Sequence, residues 1–169
     1  MILGSAGSGK STLAKEIGEI TGIEVLHMDT LFWDPGWIEV PKEKFQEAVK
    51  EYIQRDSWIT DGNYRGTMDE RLILADTIIF IDIPRVVCLY RAIKRSIIYR
   101  HKSRPDITQG CNDRFEWDFC KWIWNFPGKN KPAILKKIQM YGEGKEVYYI
   151  KNKKDMKSLL RNVKESQPY

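Results

Sequence analysis

The chain has 169 residues, a net charge of +5, three cysteines and 42% hydrophobic residues, which suits one domain able to bury its own core without disulfides or metals. No apolar run approaches the ~20 residues needed to cross a bilayer, and no basic segment followed by an apolar one opens the chain. Cys88, Cys111 and Cys120 form no CxxC pair, so neither a zinc site nor a disulfide framework is expected, and a reduced, cytoplasmic protein is.

In chain order, Met1 to Leu3 reads as the end of a short strand and Ser11 to Ile20 as a helix, with Gly22 as its C-cap. Ile23 to His27 is a strand, and Asp29 to Val40 is expected to be a loop with a Pro35-Gly36 turn. Pro41 suits the first turn of a helix to about Arg55, with Phe45, Val49, Tyr52 and Ile53 on one face. Trp58 to Thr60 is a strand, Met68 to Ala75 a helix, and Thr77 to Ile83 a nearly continuous apolar run, as in a strand covered on both faces. Helices follow from Arg85 to Tyr99, from Arg114 to Phe126 (with Pro127-Gly128 expected to break the second) and from Pro132 to Tyr141. Val147 to Ile150 is a last strand and Asp155 to Val163 a last helix. Strands alternating with helices imply an α/β fold of three layers around a five-stranded parallel sheet, as one domain over residues 1–169. The segment 101–112 is polar and aperiodic and is expected to be a short lid.

Gly4-Ser5-Ala6-Gly7-Ser8-Gly9-Lys10-Ser11 matches G-x-x-x-x-G-K-[ST] in full, after a strand and at the start of a helix. Glycines let backbone N–H groups converge on phosphate oxygens, and the new helix adds its positive end. Lys10 is expected to reach the β- and γ-phosphates of ATP, Ser11 to ligate Mg2+, and Thr12 to join the binding turn. Asn152, just past the last strand, is also placed among the nucleotide-binding residues.

Charge is unevenly distributed. Residues 1–84 hold 8 Lys/Arg and 15 Asp/Glu, and residues 85–169 hold 20 and 8. From Pro84 to Pro105 there are seven cationic side chains and no carboxylate. Such a stretch repels itself unless an anion offsets it, although a solvated helix face is the plainer alternative.

Several further elements resemble the adenylate-kinase-like branch of P-loop proteins. Asp61-Gly62-Asn63-Tyr64-Arg65 is similar to the D-G-F-P-R element of adenylate kinases. That resemblance implies that Asp61 serves magnesium and Arg65 grips the acceptor; a plain Asp-Gly turn is the alternative. Ile81-Asp82-Ile83-Pro84 followed by Arg91 and Arg95 matches a second element, which implies Arg91 against the adenine and Arg95 on phosphate, with Asp82 structural. Arg104-Pro105 looks like the lid arginine of shikimate-kinase-like enzymes, with Arg100 and Arg114 as weaker candidates; a surface salt bridge is the alternative. Taken with Asp29-Thr30-Leu31-Phe32-Trp33, Pro35-Gly36-Trp37 and Lys121-Trp122-Ile123-Trp124, the chain resembles the bacterial DNA topology-modulation proteins, an adenylate-kinase-related family.

Glu16 to Pro41 contains no Lys or Arg, which leaves Arg65 as the main candidate clamp for an acceptor phosphate. Asp29 sits where small-molecule kinases of this fold place a carboxylate to orient or deprotonate a hydroxyl. Trp33 and Trp37 are suited either to stack on a flat substrate or to pack a core. Trp117, Trp122 and Trp124 are expected to pack the helix after the lid. The function implied is ATP-dependent phosphotransfer to a nucleotide, nucleoside or small hydroxyl compound. The alternative is an ATP-binding DNA topology-modulation protein with weak, sequence-independent DNA contact. No membrane partner is expected.

Overall fold

The computed structural model describes residues 1–100, 106–111 and 115–166. Five short strands, β1 (Ile2–Gly4), β2 (Val25–His27), β5 (Ile59–Asp61), β6 (Thr77–Ile81) and β7 (Glu146–Ile150), form one sheet in the order β2-β5-β1-β6-β7. Every neighbouring pair is parallel. The carboxyl ends of all five strands therefore open on one edge. Gly4, His27, Asp61 and the Asp82 that follows β6 meet there, although they lie far apart in the chain.

The alternating side chains of these strands divide the core into two layers. Leu3, Ile78 and Phe80 face Met68 and Leu72 of α4 (Arg65–Leu74), Phe126 of α6 (Trp117–Lys129), and Ile134 and Ile138 of α7 (Lys131–Tyr141). Ile2, Ile79 and Ile81 face Leu13, Ala14 and Ile17 of α1 (Lys10–Thr21) and Leu159 of α8 (Lys153–Glu165). The result is a five-stranded, all-parallel α/β sheet flanked by helices, with a core that needs no cross-link: all three cysteines are free.

Helix ends follow local chemistry. Gly22 closes α1 in the left-handed conformation (φ 72°) and donates its N–H to Gly18 O. Asn152 caps α8, its side chain accepting from the Lys154 and Asp155 N–H groups. The expected apolar face of α3 (Lys42–Tyr52) is buried as read: Phe45, Val49, Tyr52 and Ile53 lie inside with Met28. Pro41 stands one position earlier than expected, as the N-cap of α3.

Three expectations are corrected. The segment Asp29 to Val40 is not a plain loop. It contains α2 (Met28–Phe32) and a hairpin of β3 (Trp33–Asp34) and β4 (Ile38–Glu39), turning at Pro35-Gly36. Strands of two residues have no periodicity to detect, and Val40 N–H donating to Phe32 O closes the unit instead. Pro127 does not break α6, which runs through it to Lys129. The missing N–H costs one rung, while Phe126 and Ile123 anchor the helix in the core. Trp117, Trp122 and Trp124 are exposed at the surface, Trp117 to 72%, and the expected packing along α6 holds for Trp122, which stacks on Phe119 and meets Phe126 edge to face. Among the described residues, no helix is long and apolar enough to cross a membrane.

Candidate functional site

The loop between β1 and α1 is shaped by glycine where nothing larger fits. Gly4 has φ 145°, and a Cβ there would lie 2.5 Å from Ile81 O. Gly7 has φ 73°, and its Cβ would lie 2.3 Å from Cys88 O on α5 (Arg85–Ile98). Both contacts are with backbone, which cannot move aside as a flexible side chain could. Gly9, at φ 104°, is the N-cap of α1, whose first turn receives no side-chain cap and holds no acidic residue. The turn thus keeps its positive end open to an anion.

Two side chains brace this loop. Asn63 donates from Nδ2 to Gly4 O (2.9 Å) and accepts at Oδ1 from Gly4 N–H (3.1 Å). Arg91, one turn along α5 from Cys88, donates to Ser8 O at 3.3 Å and Gly7 O at 3.5 Å. Lys10 curls back to donate to Ser5 O at 2.9 Å. Burial holds the Lys10 ammonium below its ordinary pKa. Asp61 and Asp29 oppose that shift and Arg95 reinforces it. A cation held out of water beside a second one favours an incoming anion.

At the end of β5, Asp61 is 5% exposed and shared between two partners. Ser11 Oγ donates to Oδ2 at 2.8 Å, and His27 Nδ1 lies 2.7 Å from Oδ1. Burial lowers the His27 pKa, but the hydrogen bond and charge of Asp61, aided by Asp106 and Asp29, more than offset it, and the net shift is upward. The Ser11 hydroxyl and the Asp61 carboxylate are hard oxygen donors. Mg2+ usually takes one or two protein carboxylates and completes its shell with water and phosphate oxygens. The pair fits that share of a magnesium site.

Beyond Asp61 the chain is fastened from below. Arg71 is fully buried and donates to Gly62 O at 2.9 Å, Asn63 O at 3.1 Å and Tyr64 O at 3.2 Å. Burial lowers its pKa to about 10, with Asp61 and Tyr64 opposing. The segment so held presents Tyr64, whose hydroxyl donates to Asp29 Oδ1 at 2.5 Å. Burial and the Asp29 charge push the Tyr64 pKa upward, so the hydroxyl stays a donor.

These groups line one cleft of about 1300 Å3 at the carboxyl edge of the sheet. Ala6 to Thr12, Asp29, Asp61, Arg91, Arg95 and Asn152 are all on its walls, as are Trp33 and Trp37. Gly4 and Ser5 stand behind the wall and shape it. Asn152 reaches the cleft with its side chain already engaged in capping α8. Arg65 is not on the wall: it is exposed and donates to Asn130 Oδ1 at 2.7 Å. Asp82 pairs with Lys131 at 2.6 Å, a structural contact as expected. Arg104, Arg114 and half of the expected lid lie outside the described residues. The part that is described, 106–111, packs on α2 and the hairpin: Thr108 donates to Thr30 O, Cys111 Sγ to Asp34 O, and Ile107 is buried.

Sequence reasoning missed His27, Arg71 and the bracing role of Asn63. His27 had a signal, as the last residue of a parallel strand whose neighbour ends at Asp61. Arg71 had one as well: it shares a helix face with Thr67, Met68 and Leu72, where a cation is out of place unless it is satisfied inside. No protein-family model matches the chain, and no curated protein matches it.

Proposed function

We propose that the chain is an ATP-dependent phosphotransferase that moves the γ-phosphate to a small hydroxyl-bearing acceptor. The observation that carries this reading is the convergence, at one end of one cleft, of an uncapped helix N-terminus, the half-buried Lys10 and the Ser11–Asp61 oxygen pair. The resemblance to adenylate-kinase-like proteins points the same way.

In this reading the backbone from Gly7 to Ser11 and Thr12 holds the phosphates, while Lys10 and Arg95 face the charge that develops on them. Arg91 keeps the loop carbonyls satisfied and forms the wall beside the nucleotide. Mg2+, held at Ser11 and Asp61, would neutralise phosphate charge as a Lewis acid. Asp29, fixed by Tyr64 at Oδ1, orients the acceptor hydroxyl and takes its proton. The acceptor oxygen bonds to the γ-phosphorus, the bond to the bridging oxygen breaks, and ADP leaves with that electron pair.

A coupled assay for ADP release tests this, run with MgATP against nucleosides, nucleotides and small alcohols. The expected result is release accelerated by an acceptor and lowered about 100-fold in Asp29→Asn. Release that no acceptor accelerates would contradict it.

A further inference from the structure

The two ends of the cleft differ in charge, and that difference bears on what the acceptor can be. Its described cationic walls are Lys10, Lys15, Arg91, Arg95 and Lys153, which belong to α1, α5 and α8. The opposite wall is built by β2, α2, the β3–β4 hairpin and the segment after β5. It presents Asp29, the Trp33 and Trp37 indoles and Tyr64, with Asp106 above them. No Lys or Arg occurs between Glu16 and Pro41, so these elements have none to offer. The two arginines of the neighbouring segment are committed elsewhere: Arg65 to Asn130 outside the wall, and Arg71 to backbone carbonyls beneath it.

Among the described residues, a phosphate brought to this wall would meet carboxylates and rings and no Lys or Arg. Like charges set against each other in a desolvated site repel strongly. The same wall suits a flat ring. Trp33 and Trp37 stand edge to face with centroids 5.4 Å apart, and Phe32 braces Trp33 at 4.8 Å. Indole faces attract a neutral or cationic ring.

We infer that the acceptor is a planar, neutral or cationic alcohol that carries no phosphate, seated on Trp33 and Trp37 with its hydroxyl at Asp29. This inference rests on the phosphotransferase reading and names the substrate class. It separates the chain from kinases of nucleoside monophosphates, whose acceptor brings two negative charges.

The test is calorimetric titration of the whole protein in two stages. Mg2+ with a non-hydrolysable ATP analogue comes first. With that analogue saturating, each of five matched pairs follows: adenosine, guanosine, cytidine, thymidine and pyridoxamine, each against its own 5′-phosphate. The expected result is that at least one alcohol binds, about tenfold or more tighter than its phosphate. Trp33→Leu should weaken that alcohol while leaving analogue affinity unchanged. A phosphorylated member that binds more tightly than its alcohol, or failure of all five alcohols to bind, would overturn the inference. Failure of the analogue itself would instead overturn the phosphotransferase reading.

Discussion

The end of the cleft proposed to hold phosphate and the end proposed to hold the acceptor are built by opposite means. At the end proposed to hold phosphate, backbone N–H groups stand beside the Lys10 and Ser11 side chains, and the side chains around them shape that backbone. Gly4 and Gly7 let it pass within contact of Ile81 O and Cys88 O, and Asn63 and Arg91 hold it in place. At the acceptor end the functional groups are side chains, paired with one another: Tyr64 with Asp29, and Trp33 with Trp37. The first kind of site is specified by what is absent, the second by what is present. Mutations should therefore fail differently in the two places.

The largest effect is expected at the support that both ends share. Arg71→Met strips the Gly62, Asn63 and Tyr64 carbonyls of their buried donor and should cost about 3 kcal/mol of stability. Denaturant unfolding of the variant checks this, and a loss below about 1 kcal/mol would mean that the segment is held by something else. Next comes the contrast between two glycines with positive φ. Gly7→Ala meets Cys88 O and should cost at least about 2 kcal/mol, with nucleotide binding lost as well. Gly36→Ala at φ 83° has nothing within 4 Å and should cost about 1 kcal/mol. Equal losses in thermal melts of the two would break the claim that the loop is set by close approach.

A smaller effect belongs to pH. The His27 pKa is raised in the folded protein, so protonation favours the fold. The sign follows: the stabilisation is complete below the unfolded value of ~6.5 and is lost as pH rises through the higher folded value. In metal-free buffer, the wild type should therefore gain more over His27→Gln at pH 5.5 than at pH 8.5. A stability difference that does not change with pH would remove the charge from the His27–Asp61 contact.

The same asymmetry governs how much could be read from the sequence. The loop from Gly4 to Ser11 was legible because close backbone approach demands glycine at fixed spacing, and spacing is what a sequence displays. The five strands were legible from apolar runs such as Thr77 to Ile83, and the sheet they form is parallel as expected. The acceptor end was less so. Asp29 and its two tryptophans stood out by residue type, but α2 and the hairpin that carry them are closed by single hydrogen bonds that leave no pattern. Arg65 stood out as a clamp by its place after Asp61, yet its direction depends on Asn130, 65 residues away. Arg71 had no chemical motif, only an awkward place on an apolar helix face.

In the proposed reading, the end of the cleft at Gly4 to Ser11 binds a nucleoside triphosphate through Lys10. Calorimetric titration of MgATP into the wild type and Lys10→Ala, with a thermal melt of each to establish that both are folded, tests it most directly. Saturable binding by the wild type is expected, with a loss of about 10- to 100-fold in the variant, the worth of one charged hydrogen-bond donor, and little change in melting temperature. Equal affinity in the two folded proteins, or no binding by the wild type, would contradict it.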